Sequence, residues 1–426
     1  MTRIKLIGRR IKSRWATLLL FLSIIGPGII TANVDNDAGG ITTYSLAGGN
    51  FGYTTLWIMI PLALVLFMMQ EMGARMGAVT GKGLADLIRE NFGLKITFWL
   101  MVGVVFTNLT NTMAEFAGVA SSCELFGLSK YVTVPAAAIL VWFIVVKGTY
   151  GAVEKVFLAA CTVYLSYVIS GFMGRPHWPE VLHAVVVPQF TPSSDYITMI
   201  IGMVGTTIAP WMQFYVQASV VDKGIRAKDY KFCRLDVLTG SVIAIAVVFF
   251  IVVTCAATIH AAGYRVETVA DAARALRPLA GQNCATLFAI GLLNASLFAA
   301  CILPLATAYQ VAEGVGWERG VDHTFREAPE FYTLYTALIA LGAGLILIPN
   351  APLLKIMYLS QVLNGVLLPV VIIFTLVLIN KKELMGEFRN SVAFNIASYI
   401  TAAVVIGLTV MLALTTIWPG VFGHAG

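Results

Sequence analysis

Long apolar runs constrain this chain more than any single residue does. About eleven segments of ~17–28 residues follow one another, each long enough to cross the ~30 Å hydrocarbon core of a bilayer as a helix. They fall at approximately 17–47, 54–79, 94–122, 131–148, 152–173, 195–221, 233–260, 284–315, 331–349, 353–379 and 391–417. In lipid every backbone N–H and C=O must be satisfied within the protein, and runs of this length do so as helices rather than as short barrel strands. Charged residues make up only 12% of the chain and the mean hydropathy is +0.84, whereas a soluble domain carries roughly a quarter charged residues. The expected fold class is therefore an all-α polytopic membrane protein. The run after the basic N-terminus is too long for a removable signal peptide and ends in no small-residue cleavage site, so it is expected to remain as the first span.

Alternate loops differ sharply in Lys and Arg. One side of the bundle collects ~22 of the 28 basic residues, from Arg3, Lys5, Arg9, Arg10, Lys12 and Arg14 to Lys381, Lys382 and Arg389. The positive-inside rule places that side, and with it the N-terminus, in the cytoplasm and the C-terminus outside. The net charge of +6 thus reports orientation rather than an anionic polymer partner, and no nucleic-acid partner is expected. Two longer loops lie on the other side, at about 174–194 with His177 and His183, and about 261–283 with the helix-prone run Glu267 to Arg274. Six cysteines lie scattered without a C-x-x-C and read as small packing residues. No low-complexity linker divides the chain. Residues 1–16 form a basic cytoplasmic tail, and residues 17–426 a single transmembrane domain.

The first span contains what a spanning helix should not. Its middle reads Gly26-Pro27-Gly28-Ile29-Ile30-Thr31-Ala32-Asn33-Val34-Asp35-Asn36-Asp37-Ala38-Gly39-Gly40. Ionised groups at that depth cost at least ~2.5–3.5 kcal/mol each and normally face a cavity or a partner. A helix broken around an acidic site accounts for the run. The sixth span breaks too, at Gly205-Thr206-Thr207-Ile208-Ala209-Pro210-Trp211, because Pro210 has no backbone N–H and its ring clashes with the preceding turn. The two breaks lie five spans apart, an odd offset, so the halves run in opposite directions. Interrupted helices at matching positions of inverted repeats point to a transporter's site at the bilayer midplane. The repeats are expected at about 17–173 and 195–379, with an additional helix at about 391–417.

Asp37 directly precedes the Gly-Gly break, where unwinding would leave its carboxylate beside free carbonyls, a set of hard oxygen ligands for a cation. Asp35, two residues earlier, points elsewhere on a helix and suits ion hydration or approach. No Lys or Arg lies in the cores of the first and sixth spans to pair with these acids. Across the site stand the carbonyl of Thr206, the hydroxyls of Thr206 and Thr207, and Ala209; there is no His or Cys, and Met212 is three residues on. A soft-metal site would use thioether, thiolate or imidazole, whereas an all-oxygen site suits Mg²⁺, Ca²⁺ or Mn²⁺. Glu71 pairs naturally with Arg75 at i+4. Glu115, an acid at mid-depth of the third span, fits either a hydrogen bond to a neighbouring helix or a place on the ion path. Gln361 and Asn364 fit either a cation or helix–helix bonding.

These residues resemble the NRAMP family of divalent-metal transporters. Gly26-Pro27-Gly28 followed by Asp37 resembles the family's first-helix motif, Gly-Pro-Gly leading to Asp-Pro-Gly-Asn. Ala74-Arg75-Met76-Gly77-Ala78-Val79-Thr80-Gly81-Lys82 is similar to its Ala-Arg-Leu-Gly-x-x-Thr-Gly-Lys stretch, Ala114-Glu115-Phe116-Ala117-Gly118 to its third-helix acid, and Ser360-Gln361-Val362 to its tenth helix. The departures are Asp37-Ala38-Gly39-Gly40, which lacks the family's Asn, and Ala209-Pro210-Trp211 in place of Met-Pro-His. The second histidine of that helix falls near Val216, and the ninth span has none of the basic residues of the family's proton relay.

The departures resemble the branch of NRAMP-related magnesium transporters. That resemblance implies a LeuT-type fold of the APC superfamily, with a 5+5 inverted repeat and broken helices 1 and 6. It further implies Mg²⁺ as cargo with Mn²⁺ also carried, and transport not tightly coupled to protons. Metal is then substrate, not cofactor, and no enzyme activity is expected. Around the ion we expect Asp37, Val34, Gly40, Thr206, Ala209 and Gln361, with Asp35, Glu115, Thr207 and Trp211 along the route. The expected setting is a monomer in the lipid bilayer of a bacterial plasma membrane. The rival readings are a proton-coupled Mn²⁺/Fe²⁺ transporter, an amino-acid carrier on the same fold, and an ion channel.

Overall fold

Apolar runs become helices wherever they are long enough, and the computed structural model shows where each one stops. It describes residues 34, 36–147, 161–191, 193–318 and 324–417. Outside these lie Gly26-Pro27-Gly28, Asp35, the basic N-terminal tail, the start of the fifth span and Arg319. The described half of span one is α1 (Ala38–Phe51), and a 3₁₀ turn (Gly52–Ile58) joins it to α2 (Met59–Thr80). The loop expected between the first two spans is therefore helical, and Gly52 allows the bend with φ of 60° while leaving room for the His260 ring. A short amphipathic helix, α3 (Leu84–Phe92), fills the next loop.

Spans three to five are α4 (Leu94–Glu124), α5 (Lys130–Lys147) and α6 (Leu165–Met173). The long loop after span five forms α7 (Trp178–Val186), and span six forms two helices, α8 (Ser194–Thr207) and α9 (Pro210–Asp222). Span seven is α10 (Tyr230–Cys255), and the long loop after it carries α11 (Val269–Ala273). The helix-prone run there is opened by a capping box between Thr268 and Asp271. Spans eight to eleven are α12 (Cys284–Val315), α13 (Pro329–Ile346), α14 (Leu353–Ile379) and α15 (Val392–Ile417). Nine helical stretches among the described residues are long and apolar enough to cross a membrane, the two halves of span six counting as one.

Large apolar side chains cover the outside of the bundle, among them Phe106, Ile139, Phe143 and Ile400. The inside is polar at selected points. There α4 packs on α12, α13 and α14, while α8 packs on α14, and α2 on α9 and α10. Gly205 and Gly365 bring the α8 and α14 backbones together, since a Cβ on Gly205 would overlap the Gln361 carbonyl and one on Gly365 would stand 2.6 Å from the Ile201 oxygen. The two breaks meet through Val34 and Ala209, which share a buried apolar cluster with Leu66 and Met212.

Candidate metal centre

Asp37 is the N-cap of α1. Its backbone is extended, with φ of −71° and ψ of −175°, and its Oδ1 accepts from the Gly40 amide at 2.6 Å. The Ala38-Gly39-Gly40 run makes this cap tight. A Cβ on Gly39 would overlap the carboxamide of Gln361, and one on Gly118 would overlap Ala38 and the Ser296 hydroxyl. Small residues thus let α4 and α14 press against the start of α1. From α4, Glu115 Oε2 accepts from the Ala38 amide at 3.3 Å, which sets its carboxyl beside that of Asp37. Both acids are buried. Two neighbouring carboxylates in a dry site repel unless a proton or a cation lies between them, so the pair is a place for either.

The second break supplies oxygen by subtraction. In a continuous helix the amide of residue 210 would bond the carbonyl of residue 206, and Pro210 has no such amide. α8 therefore ends at Thr207, and α9 begins again at Pro210 with Ala209 as N-cap. The Thr206 hydroxyl is buried and has no hydrogen-bond partner among the described residues. Ala209 is buried in the apolar cluster with Val34 and Met212, and its carbonyl takes the Met212 amide at 3.1 Å.

Three expectations change. Gly40 serves as a donor to Asp37, and its carbonyl lies in the first turn of α1, directed along the helix rather than at the break. Thr207 is occupied as a tie: its hydroxyl meets Tyr44 Oη at 2.8 Å and donates to the Met203 carbonyl at 2.7 Å. Trp211 is fully buried in the apolar cluster that also holds Val34, Ala209, Phe298 and Ile302, so its ring packs beside the break rather than lining a wet route. Gln361 does sit against the break, but its Oε1 already accepts from Asn364 Nδ2 at 2.8 Å, leaving one lone pair. Asp35 lies outside the described residues.

Elsewhere, Glu71 pairs with Arg75 at 3.1 Å and also accepts from the Tyr230 hydroxyl. His177 stands 3.9 Å from Glu180 on the surface, and the described residues hold no group of three or more His, Cys, Asp or Glu arranged for a metal. The five cysteines with described side chains are unbonded.

The sequence reading passed over Asn36. Its side chain is fully buried beside Asp37, and neither its Oδ1 nor its Nδ2 has a hydrogen-bond partner among the described residues. Its backbone carbonyl accepts from Tyr164 at 2.9 Å, which pins the residue in place. A carboxamide flanked by two aspartates reads in sequence as part of one acidic patch, and only its lack of partners distinguishes it.

The helix start at Ala38 lies against the break between α8 and α9, with a buried carboxylate beside it, the arrangement of helix ends on which transporters with broken helices build their sites. The profile of the family described as natural resistance-associated macrophage protein-like matches residues 28–415. The chain belongs to this Nramp family of metal-ion transporters, for which the metal is cargo rather than a resident cofactor. It is 27% identical over 405 residues to the divalent metal cation transporter MntH of Aeromonas hydrophila, covering 93% of this chain and 96% of that one. It is also 27% identical over 417 residues to the MntH of Granulibacter bethesdensis, covering 95% and 90%. Among solved structures, the Eremococcus coleocola manganese transporter, crystallised with an aromatic bis-isothiourea compound, superposes with a TM-score of 0.75 at 20% identity, over 97% of this chain and 90% of that one. The nucleobase-cation-symport-1 family transporter Mhp1 superposes at 0.57 and 14% identity, over 93% and 91%. These superpositions bear out the expected fold class.

Proposed function

We propose that this chain carries Mg²⁺, and Mn²⁺ as a second cargo, across a bacterial plasma membrane by alternating access, without tight coupling to protons. The observation that supports it most is the chemistry of the donor set. Asp37 is joined by Glu115, the unpartnered Asn36 carboxamide, the Thr206 oxygens and the remaining lone pair of Gln361, all hard oxygen donors. Position 209 holds a methyl where a thioether would select softer ions. Mg²⁺ gives up water reluctantly, and neutral amide and hydroxyl oxygens suit an ion that keeps part of its shell. The names of the relatives, divalent metal cation transporter and manganese transporter, support Mn²⁺ as well.

The chain acts as a monomer with its basic face in the cytoplasm, and repeats of about 17–173 and 195–379 rock about the site. A potential negative inside then favours uptake by about 4.6 kcal/mol per dication at 100 mV. The ninth span has no Lys, Arg or His to return a proton. The test is a competition panel of Mg²⁺, Mn²⁺, Ca²⁺ and Cd²⁺ against Mg²⁺ uptake in reconstituted vesicles. Mn²⁺ should compete well and Cd²⁺ poorly, whereas strong Cd²⁺ competition with no Mg²⁺ flux would sink the reading.

A further inference from the structure

Two glutamines nearer the basic end of the bundle have no structural occupation. Gln70 on α2 and Gln213 on α9 are fully buried, and on each both the carboxamide oxygen and nitrogen lack a hydrogen-bond partner among the described residues. Gln213 follows Ala209 by four residues, one turn beyond the break. It faces α2: a Cβ on Gly73 would stand 3.3 Å from the Gln213 carbonyl and 3.9 Å from its Oε1. Gln70 precedes Gly73 by three residues and so lies on the same side of α2. Both helices run from mid-bundle toward Arg75, Lys82 and Lys223.

A buried amide that serves only the fold finds a partner, as Gln310 and Asn364 do in this molecule. Leaving such groups unmet is unfavourable, and an apolar residue of similar shape would avoid that cost. The seam between the two helices is also thin. A Cβ on Gly73 would come within 2.8 Å of Val216, and one on Gly77 within 2.8 Å of the Gln217 carbonyl. Helices packed through glycine part without dragging interlocked side chains with them. One turn further on, Gln217 gives its Nε2 to the Lys82 carbonyl at 2.8 Å and leaves its own Oε1 unpartnered.

We infer that Gln70 and Gln213 form a second cation site, one turn along α9 from the break toward the basic face, where two carboxamide oxygens take the place of waters on a departing dication. The inference rests on the reading of Asp37 as the cargo ligand. Neutral oxygens suit a transit station, because conduction needs a site strong enough to accept the ion and weak enough to release it.

The test uses the full chain, with Mg²⁺ uptake measured in vesicles and equilibrium Mn²⁺ binding measured in detergent. The double variant Gln70→Leu/Gln213→Leu should lower maximal uptake about tenfold, shift KM by less than about twofold and leave Mn²⁺ binding in place. Gln213→Glu, which keeps the side chain's shape, should bind Mn²⁺ about fivefold more tightly and turn over more slowly, because the ion now leaves a carboxylate. Wild-type uptake in the double variant, or unchanged binding and rate in Gln213→Glu, overturns the second site. Mn²⁺ binding that survives Asp37→Ala at wild-type strength overturns the parent reading instead. If the double variant does not purify as a single species, Gln213→Glu decides alone.

Discussion

Two polar regions share the interior of this bundle, and they differ in whether their hydrogen bonds are complete. Between α4 and its neighbours, Asn111 and Asn364 exchange bonds at 2.9 and 3.1 Å, and Asn364 adds Gln361 at 2.8 Å. Asn108 reaches Gln310 at 3.0 Å, and Gln310 reaches the Trp211 carbonyl at 3.2 Å. Around the break, Asn36 and the Thr206 hydroxyl are just as deeply buried and have no hydrogen-bond partners among the described residues. Closed networks of this kind fix helices to one another, while open ones keep their donors and acceptors for something else. Similar residue types thus serve as scaffold on one side of Gln361 and as the proposed cargo site on the other.

The largest effect should come from the residue that belongs wholly to the open region. Asp37→Ala is expected to lower Mg²⁺ uptake in vesicles at least about a hundredfold while costing the helix cap about 0.5–2 kcal/mol of stability; undiminished flux would remove Asp37 from the site. A paired experiment sharpens the contrast. Asn364→Leu should lose about 1–3 kcal/mol in thermal unfolding, because Asn111 and Gln361 are left unpaired, with cargo affinity changed less than about threefold. Asn36→Leu should do the reverse, with stability held or improved and affinity down about tenfold. If both variants shift the same quantity, the division between scaffold and site fails.

Smaller effects follow. Ala209→Met should move preference toward Cd²⁺ and Mn²⁺ over Mg²⁺ in the competition panel, and unchanged selectivity would count against ligand softness as the criterion. Acidifying both sides should weaken uptake modestly, because protons compete with the dication for the Asp37–Glu115 pair. A pH gradient alone should drive no uptake, and metal-dependent acidification of the vesicle lumen would reveal coupling after all.

Sequence carried the breaks well because their causes are local. Pro210 removes a particular amide, and Gly39-Gly40 beside a carboxylate marks a helix start, so both breaks fall where expected. Asp37 was legible for the same reason. Glu115 was legible as an acid at mid-depth, though not its bond to the Ala38 amide, which spans 77 residues of sequence. What Trp211 and Thr207 touch was not legible, because it depends on distant neighbours: Phe298 and Ile302 pack on the indole, and Tyr44 meets the hydroxyl. Asn36, Gln70 and Gln213 carried no signal, since what sets them apart is the absence of partners in three dimensions. The helix Leu84–Phe92 was passed over because it is too short to register as a span.

The glycine contact between α8 and α14 has a mechanical result. With Gly205 and Gly365 back to back, the two helices form a single lever, and Thr206 and Gln361 ride on the same arm. In the proposed transport cycle Thr206 and Gln361 would therefore move together relative to Asp37.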